Sequence, residues 1–313
     1  MIGAVDIGGT KVAVGMVDDR GRVRAKMEFL TGKEAKYSEG LKQIRTMLQK
    51  TAQDAGVKIT GIGIGSTGPV DPFTGEFGDV DFLPDWRGKS AVKDLARLFQ
   101  VKVALENDAD AGALAEAGWG AGRNKRRMIY ITVGTGVGGG MVLDGKLYRG
   151  VDGAHPEFGH LVIDPSGPVC SCGARGCWES LAAGPAMVKW METEFPAARP
   201  HRQDLTAHGI CQLARDGDAL ATLAVERETR YLGLGLANLT NLFAPDAIVL
   251  GGGVMKSAVL FLEGIRKTIV RNCRFVPFEK TEIVLAALGE DSNLIGAARV
   301  WRHRFGRDAG QPS

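Results

Sequence analysis

The chain opens on Ile2-Gly3-Ala4-Val5-Asp6-Ile7-Gly8-Gly9-Thr10-Lys11: an apolar strand with one acid inside it, broken by two glycines and followed by threonine and lysine. Apolar and polar residues then alternate over Lys11–Val17, Asp18-Asp19-Arg20-Gly21 makes a hairpin turn, and a third strand runs over 22–29. The pattern returns later as a strand over 128–133, a glycine turn, a strand over Val137–Leu143 and the turn Asp144-Gly145-Lys146. This echo of strand, glycine turn, strand predicts an α/β chain in two halves of like topology. Each half presents a glycine turn to a shared cleft.

Between and after the two copies, helix and strand signals alternate. Leu41, Ile44, Leu48, Ala52 and Ala55 recur at helical spacing over 38–55, and Gly56 stops that helix. Ile62 and Ile64 sit in a short glycine-rich strand, followed by a loop over 66–88. Ser90 caps a helix to Phe99, a strand follows over 101–105, and a small-residue helix over 108–117. The basic run Arg123-Asn124-Lys125-Arg126-Arg127 reads as a solvated boundary loop. Later come a long helix over 218–243, strands over 247–250 and 282–286, and a closing helix from Asp291 to about His303.

Composition narrows the class. The 313 residues are enough for two domains, and 44% hydrophobic with 24% charged residues excludes general disorder. A net charge of +3 from 39 basic and 36 acidic side chains gives no case for nucleic acid. The 44 glycines are about twice the usual share of ~7%. Many backbone positions therefore need close approach or positive φ. No secretory signal follows Met1, and the apolar stretch 231–253 is interrupted by Asn238, Asn241, Pro245 and Asp246, so it spans no membrane. The expectation is a cytoplasmic protein.

Three glycine turns follow strands: Gly8-Gly9, Gly134-Thr135-Gly136 and Gly251-Gly252-Gly253. Backbone N–H groups in such turns form anion sites, although any one alone is equally a tight hairpin. Gly134, Gly136 and Gly139 satisfy G-x-G-x-x-G, as do Gly63, Gly65 and Gly68. Neither runs directly into a helix, so neither is a dinucleotide fingerprint, and no glycine loop ends as a P-loop does.

His160 precedes Cys170, Cys172 and Cys177, with Gly173 and Gly176 between the last two sulfurs. Three thiolates and one imidazole predict a closed, structural tetrahedral zinc site, against a redox disulfide or inert thiols. Cys211 and Cys273 read as small apolar residues. Asn107-Asp108 stands where a strand gives way to a helix, at the strand edge where open α/β sheets place ligands. A carboxylate there can accept a hydroxyl proton, or the pair can simply cap the helix. Glu157 and Glu179 flank the cysteine loop, where ordinary loop or helix-start roles are equally open; His155 reads as a loop histidine.

Taken together, Asp6–Lys11, Glu106-Asn107-Asp108, 132–140, Glu157-Phe158-Gly159-His160, the cysteine cluster with Glu179, and Gly251-Gly252-Gly253 resemble the ROK family of bacterial sugar kinases and related repressors. The resemblance runs in order over nearly the whole chain. It implies an actin-like ATPase (ribonuclease H-like) fold of two α/β domains: a smaller one over 1–118, completed by the C-terminal helix at about 291–313, and a larger one over 119–290 with the zinc loop. It implies ATP in the cleft between them, with Asp6, Gly8, Gly9, Thr10, Lys11, Gly134, Thr135 and Gly136 on the phosphate side and Gly251, Gly252 and Gly253 on the adenosine side. Asp6 would position Mg²⁺ through water. Asp108 would be the general base for phosphorylation of a sugar 6-hydroxyl. Gly68, Asn107, Asp108, Glu157, His160 and Glu179 would bind the sugar, with His160 also a zinc ligand beside Cys170, Cys172 and Cys177.

The resemblance places glucokinase first and implies a homodimer or homotetramer. Two segments depart from the family pattern. His155-Pro156-Glu157 stands in place of Ala-Gly-Glu and is similar to a fructokinase-like branch, and Asp81-Phe82-Leu83-Pro84-Asp85-Trp86 replaces Asn-Leu-Pro-Gly-Trp. Fructose, mannose, N-acetylmannosamine and N-acetylglucosamine stay open as substrates, as does a non-catalytic sugar-sensing regulator. A repressor is not expected, because the first glycine turn begins directly after Asp6 and leaves no room for a helix-turn-helix.

Overall fold

The computed structural model describes residues 1–31, 36–80, 83–196 and 205–306; Asp81 and Phe82 of the departing loop lie outside them. The first half begins with the antiparallel meander β1 (Ile2–Ile7), β2 (Lys11–Val17) and β3 (Val23–Leu30). The Asp18 carboxylate fixes the second turn by accepting from the backbone N–H groups of Arg20 and Arg22 and from the Arg24 guanidinium. There follow α1 (Tyr37–Asp54), β4 (Gly61–Ser66), the small hairpin β5 (Val70–Asp71) and β6 (Glu76–Phe77), α2 (Ala91–Phe99), β7 (Val103–Asn107) and α3 (Asp108–Trp119). The second half runs β8 (Arg127–Val133), β9 (Val137–Leu143), β10 (Lys146–Leu147), α4 (Trp178–Ala182), α5 (Gly184–Glu194), α6 (Ala207–Arg215), α7 (Ala219–Phe243), β11 (Ala247–Gly251), α8 (Leu262–Asn272), β12 (Glu282–Leu285) and α9 (Ser292–Phe305).

The strands form one sheet in the order β3-β2-β1-β4-β7 and another in the order β10-β9-β8-β11-β12. Position for position the two orders are the same, and the parallel pairings β1–β4–β7 are matched by β8–β11–β12. The duplication expected from the glycine-turn echo is therefore real. By compactness the described residues fall into one unit within 1–126, 140–156 and 286–306 and another within 127–139 and 157–285.

In the first unit the sheet is covered on both faces. Val5, Ile7, Val12 and Val14 pack with Ile44 and Leu48 of α1, Leu95 of α2 and Trp86, whose ring stands perpendicular to those of Tyr37 and Phe77 with centroids 5.1 Å apart. The other face, Ile2, Ala4, Ala13 and Val17, packs against Leu294, Ala297 and Ala298 of α9. Local signals set the helix starts: Ser90 Oγ accepts from the Lys93 N–H, and Asp218 Oδ1 from that of Ala221 at 2.8 Å.

Two expectations are adjusted. The segment over 66–88 is not simply a loop, because Val70 and Asp71 pair with Phe77 and Glu76. The strand expected over 101–105 runs on to Asn107, since its parallel register with β4 continues through Ser66↔Asn107. Backbone pairing, invisible in the local sequence, carries Glu106 and Asn107 into the sheet.

Gly63, part of the second false fingerprint, has a packing role. A Cβ there would overlap the Ala297 carbonyl oxygen of α9. Gly63→Ala should therefore lower stability by about 1–3 kcal/mol, because neither the helix backbone nor the central strand can give way. Urea unfolding measures it; an unchanged midpoint would show that α9 slides freely on the sheet.

Candidate active site and metal centre

Asp108 opens α3 directly after the C-terminal end of β7. Its neighbour Asn107 is the helix N-cap, with Oδ1 accepting from the Ala109 N–H at 2.8 Å. The same N–H is shared with Asp108 Oδ1 at 2.8 Å, while Asp108 Oδ2 accepts from the Thr67 hydroxyl at 3.1 Å. Capping and a functional carboxylate are thus not alternatives: Asn107 caps, and Asp108 is left partly exposed. Burial pushes the Asp108 carboxyl above its ordinary range, against the pull of the Thr67 and Ala109 hydrogen bonds and the His155 ring. Gly68 lies beside Asn107, where a Cβ would stand 3.2 Å from Nδ2.

Asp6 sits in the same unit, buried at the end of β1. Burial and then the nearby Asp108 carboxylate raise it to about 7, while Asn293 and Lys11 pull it down. Asn293 Nδ2 approaches Asp6 Oδ2 at 3.4 Å. Two carboxylates near enough that the charge of one raises the other, with so little cationic compensation, fit a hard divalent cation, which takes oxygen ligands. Gly9, Thr10 and Lys11 are exposed at the first glycine turn, closed by the Gly8 N–H donating to the Lys11 carbonyl. The Lys11 ammonium reaches Glu28 at 2.8 Å, so it is held to the sheet rather than free in the turn.

Behind Asp108 lies a set of charges whose association the sequence did not show. Glu106 and Asp110, both buried, each receive one nitrogen of the Arg149 guanidinium. Arg304 approaches the other Glu106 oxygen at 3.4 Å, and His155 Nδ1 stands 4.0 Å from Asp110 Oδ2. Burial lifts Glu106 to about 7 even against Arg149. The clue available in the sequence was three acids at alternate positions, Glu106, Asp108 and Asp110; His155 was expected in a loop, but its place beside these acids was not legible.

The second unit gathers the other predicted residues. Glu179, in the first turn of α4, accepts from the Val137 N–H at 3.0 Å, directly behind the glycine turn. The Gly184 N–H closes on the Gly134 carbonyl, and the backbone at Gly253 is a neighbour of Gly134. Thus the turns Gly134-Thr135-Gly136 and Gly251-Gly252-Gly253 are brought side by side, with Glu179 against the first. Glu157 precedes and His160 ends a short 3-10 turn, the His160 N–H donating to the Glu157 carbonyl at 3.0 Å.

The donor atoms of His160, Cys170, Cys172 and Cys177 all lie within 4.8 Å of one another. Cys172 and Cys177 sulfurs are 3.6 Å apart, and Cys170 Sγ is 3.6 Å from His160 Nδ1. A tetrahedral zinc with Zn–S of ~2.3 Å sets its sulfurs about 3.8 Å apart, so the cluster fits that ion. The loop closes because Gly173 and Gly176 take φ of +90° and +77°, as expected of glycines between ligands. Cys211 and Cys273 are buried away from the cluster. Nδ1 of His160 faces the sulfurs, which leaves Nε2 for another partner. Among the described residues, no helix is long and apolar enough to cross a membrane.

The ROK family profile matches residues 2–304. A glucokinase of Thermotoga maritima is 31% identical over 312 residues, covering 96% of this chain and 97% of the relative. The solved ROK hexokinase of Thermus thermophilus superposes with a TM-score of 0.81 at 34% identity, over 96% of this chain and 97% of that one. A ROK glucokinase of Streptomyces griseus, solved with glucose and AMPPNP, gives a TM-score of 0.79 at 32% identity over 95% and 97%. The duplicated α/β architecture is the actin-like ATPase fold of these structures. With that fold, the cysteine–histidine cluster and a match from end to end, this chain belongs to the ROK family.

Proposed function

We propose that the chain is an ATP-dependent hexose kinase, with glucose its first substrate, and that it transfers the γ-phosphoryl group to the sugar 6-hydroxyl. The observation that carries this reading is Asp108, a partly exposed carboxylate fixed by Thr67 and the Ala109 N–H at the end of β7. Asp108 accepts the hydroxyl proton as the sugar oxygen bonds to the γ-phosphorus; the bond to the β-phosphate bridging oxygen breaks and ADP leaves. The proton then passes to solvent.

Backbone N–H groups of Gly9, Thr10, Thr135 and Gly136 hold phosphate oxygens, Gly8 and Gly134 shape the two turns by donating to the Lys11 and Gly136 carbonyls, and Gly251, Gly252 and Gly253 form the adenosine side. Lys11 serves the phosphates by exchanging Glu28 for them. Mg²⁺ carried with the nucleotide supplies positive charge against the phosphoryl oxygens, and Asp6 would hold its water shell. Asn107, Glu157 and Glu179 accept or donate to sugar hydroxyls, with Gly68 leaving room beside Asn107. Zinc in the cluster supplies a fixed ring orientation for His160, whose Nε2 then donates to the sugar.

A coupled ADP-release assay with Mg·ATP over glucose, fructose, mannose, N-acetylmannosamine and N-acetylglucosamine tests the reading. Glucose should show the highest kcat/KM. Another sugar in first place would overturn the choice of glucose, and no turnover on any would overturn the kinase.

A further inference from the structure

Glu106, Asn107, Asp108, Ala109 and Asp110 turn from strand to helix within five residues, and three of the five are acids. Left unbalanced, these charges would push the junction apart. Glu106 and Asp110 bracket Asp108, and a single guanidinium spans the two: Arg149 Nη2 donates to Glu106 Oε2 and Nη1 to Asp110 Oδ2. All of these residues lie in one compact unit.

The clamp is well shielded. The Arg149 side chain is 17% exposed, that of Glu106 6% and that of Asp110 fully buried. Asp110 Oδ1 has no hydrogen-bond partner among the described residues, so its carboxylate depends on the Arg149 nitrogen at Oδ2, with His155 further off at 4.0 Å. The remaining charges around the clamp are Arg304, which spans Glu106 and the Pro72 carbonyl, and His303, Arg299 and Asp108. Of the two bracketing acids Arg304 reaches Glu106 and not Asp110, so Arg149 is the group that ties the strand end to the first turn of the helix.

We propose that Arg149 is a positioning residue for phosphoryl transfer: by fastening Glu106 to Asp110 it fixes the β7–α3 junction, and with it the direction of the Asp108 carboxylate. A planar fork can hold two carboxylates at a set separation, which a single ammonium cannot. The inference rests on the reading of Asp108 as the base.

Arg149→Met, Arg149→Lys and the double variant Arg149→Met with Asp110→Asn test it, each assayed with Mg·ATP and the preferred sugar of the panel, and each melted by circular dichroism. Arg149→Met should lower kcat about 10²-fold, the cost of a base displaced by about 1 Å, with KM for ATP unchanged. Arg149→Lys, keeping the charge without the fork, should recover about tenfold of that loss. The double variant removes the unpaired buried charge and should regain melting temperature without regaining kcat.

Wild-type kcat in Arg149→Met, a loss no larger than the unfolded fraction, or a double variant that regains rate along with stability would each overturn the clamp. Where Arg149→Met fails to fold, the other two variants decide between the same outcomes. If instead Asp108→Asn turns over normally, it is the assignment of the base that has failed, and the two failures are distinct.

Discussion

Asp108→Asn is expected to lower kcat by about 10²–10⁴-fold while leaving sugar affinity nearly unchanged. The substitution preserves shape. The amide oxygen can still accept from Thr67 or from the Ala109 N–H, the two groups that hold the carboxylate. What it removes is the ability to take a proton, an interaction needed only as the hydroxyl becomes a nucleophile, so the loss falls on kcat rather than KM. The pH profile gives a second readout. Burial raises the Asp108 carboxyl, and a base works only when ionised. The wild-type rate should thus fall as pH drops through that raised value, whereas the residual rate of the variant should lack this limb. Because Asp6 is raised to about 7 by burial and then by the Asp108 charge, the wild-type limb belongs to the pair. Isothermal titration with the preferred sugar checks that binding survives. A variant with kcat within a few-fold of wild type would remove Asp108 from the chemistry.

Loss of the zinc should have the other large effect. Structural zinc sites carry roughly 10–16 kcal/mol of apparent binding energy, and here the four donors come from one loop and the turn before it. The loop also has backbone ties of its own, among them the Cys170 N–H to the Ala174 carbonyl, the Gly176 N–H to the Pro168 carbonyl and the pairings of Val162 with Cys177 and Val169 with Arg175, so the chain is expected to keep part of its stability without the metal. Cys172→Ser is the cleanest probe, because Cys172 is exposed and its replacement leaves no cavity. If about 5 kcal/mol of the metal's contribution is lost, Tm falls by roughly 10–20 °C at 2–4 °C per kcal/mol. Turnover should fall with it, since His160 and Glu179 flank the loop. Metal analysis should find one zinc per chain in the wild type and less in the variant. Freshly purified protein without zinc, or a Cys172→Ser variant with unchanged metal content and melting, would refute the assignment.

Much of this was legible in the sequence because it rests on short-range physics. Turns need glycine, a cap needs a residue such as Ser90, and three cysteines within eight residues must share a neighbourhood whatever the fold. The repeat of strand, glycine turn and strand survived as two sheets of identical order because each turn fixes which strands can pair next. The family resemblance extended that reading to the roles of the acids.

Tertiary structure decided what depends on partners distant in the chain. Thr67 meets Asp108 across 41 residues, Asn293 meets Asp6 from the far end, and Arg149 reaches Glu106 and Asp110 from a different strand connection. No local pattern announces such pairs; they exist because sheet pairing and the packing of α9 bring the segments together. The same holds for Gly63, which looks like part of a phosphate loop and is instead the contact that lets α9 lie on the sheet. Sequence alone determined the fold class and which residue types could do the chemistry. The three-dimensional packing determined which carboxylate is held, by what, and in which direction, because direction is set by contacts that the chain makes only once it is folded.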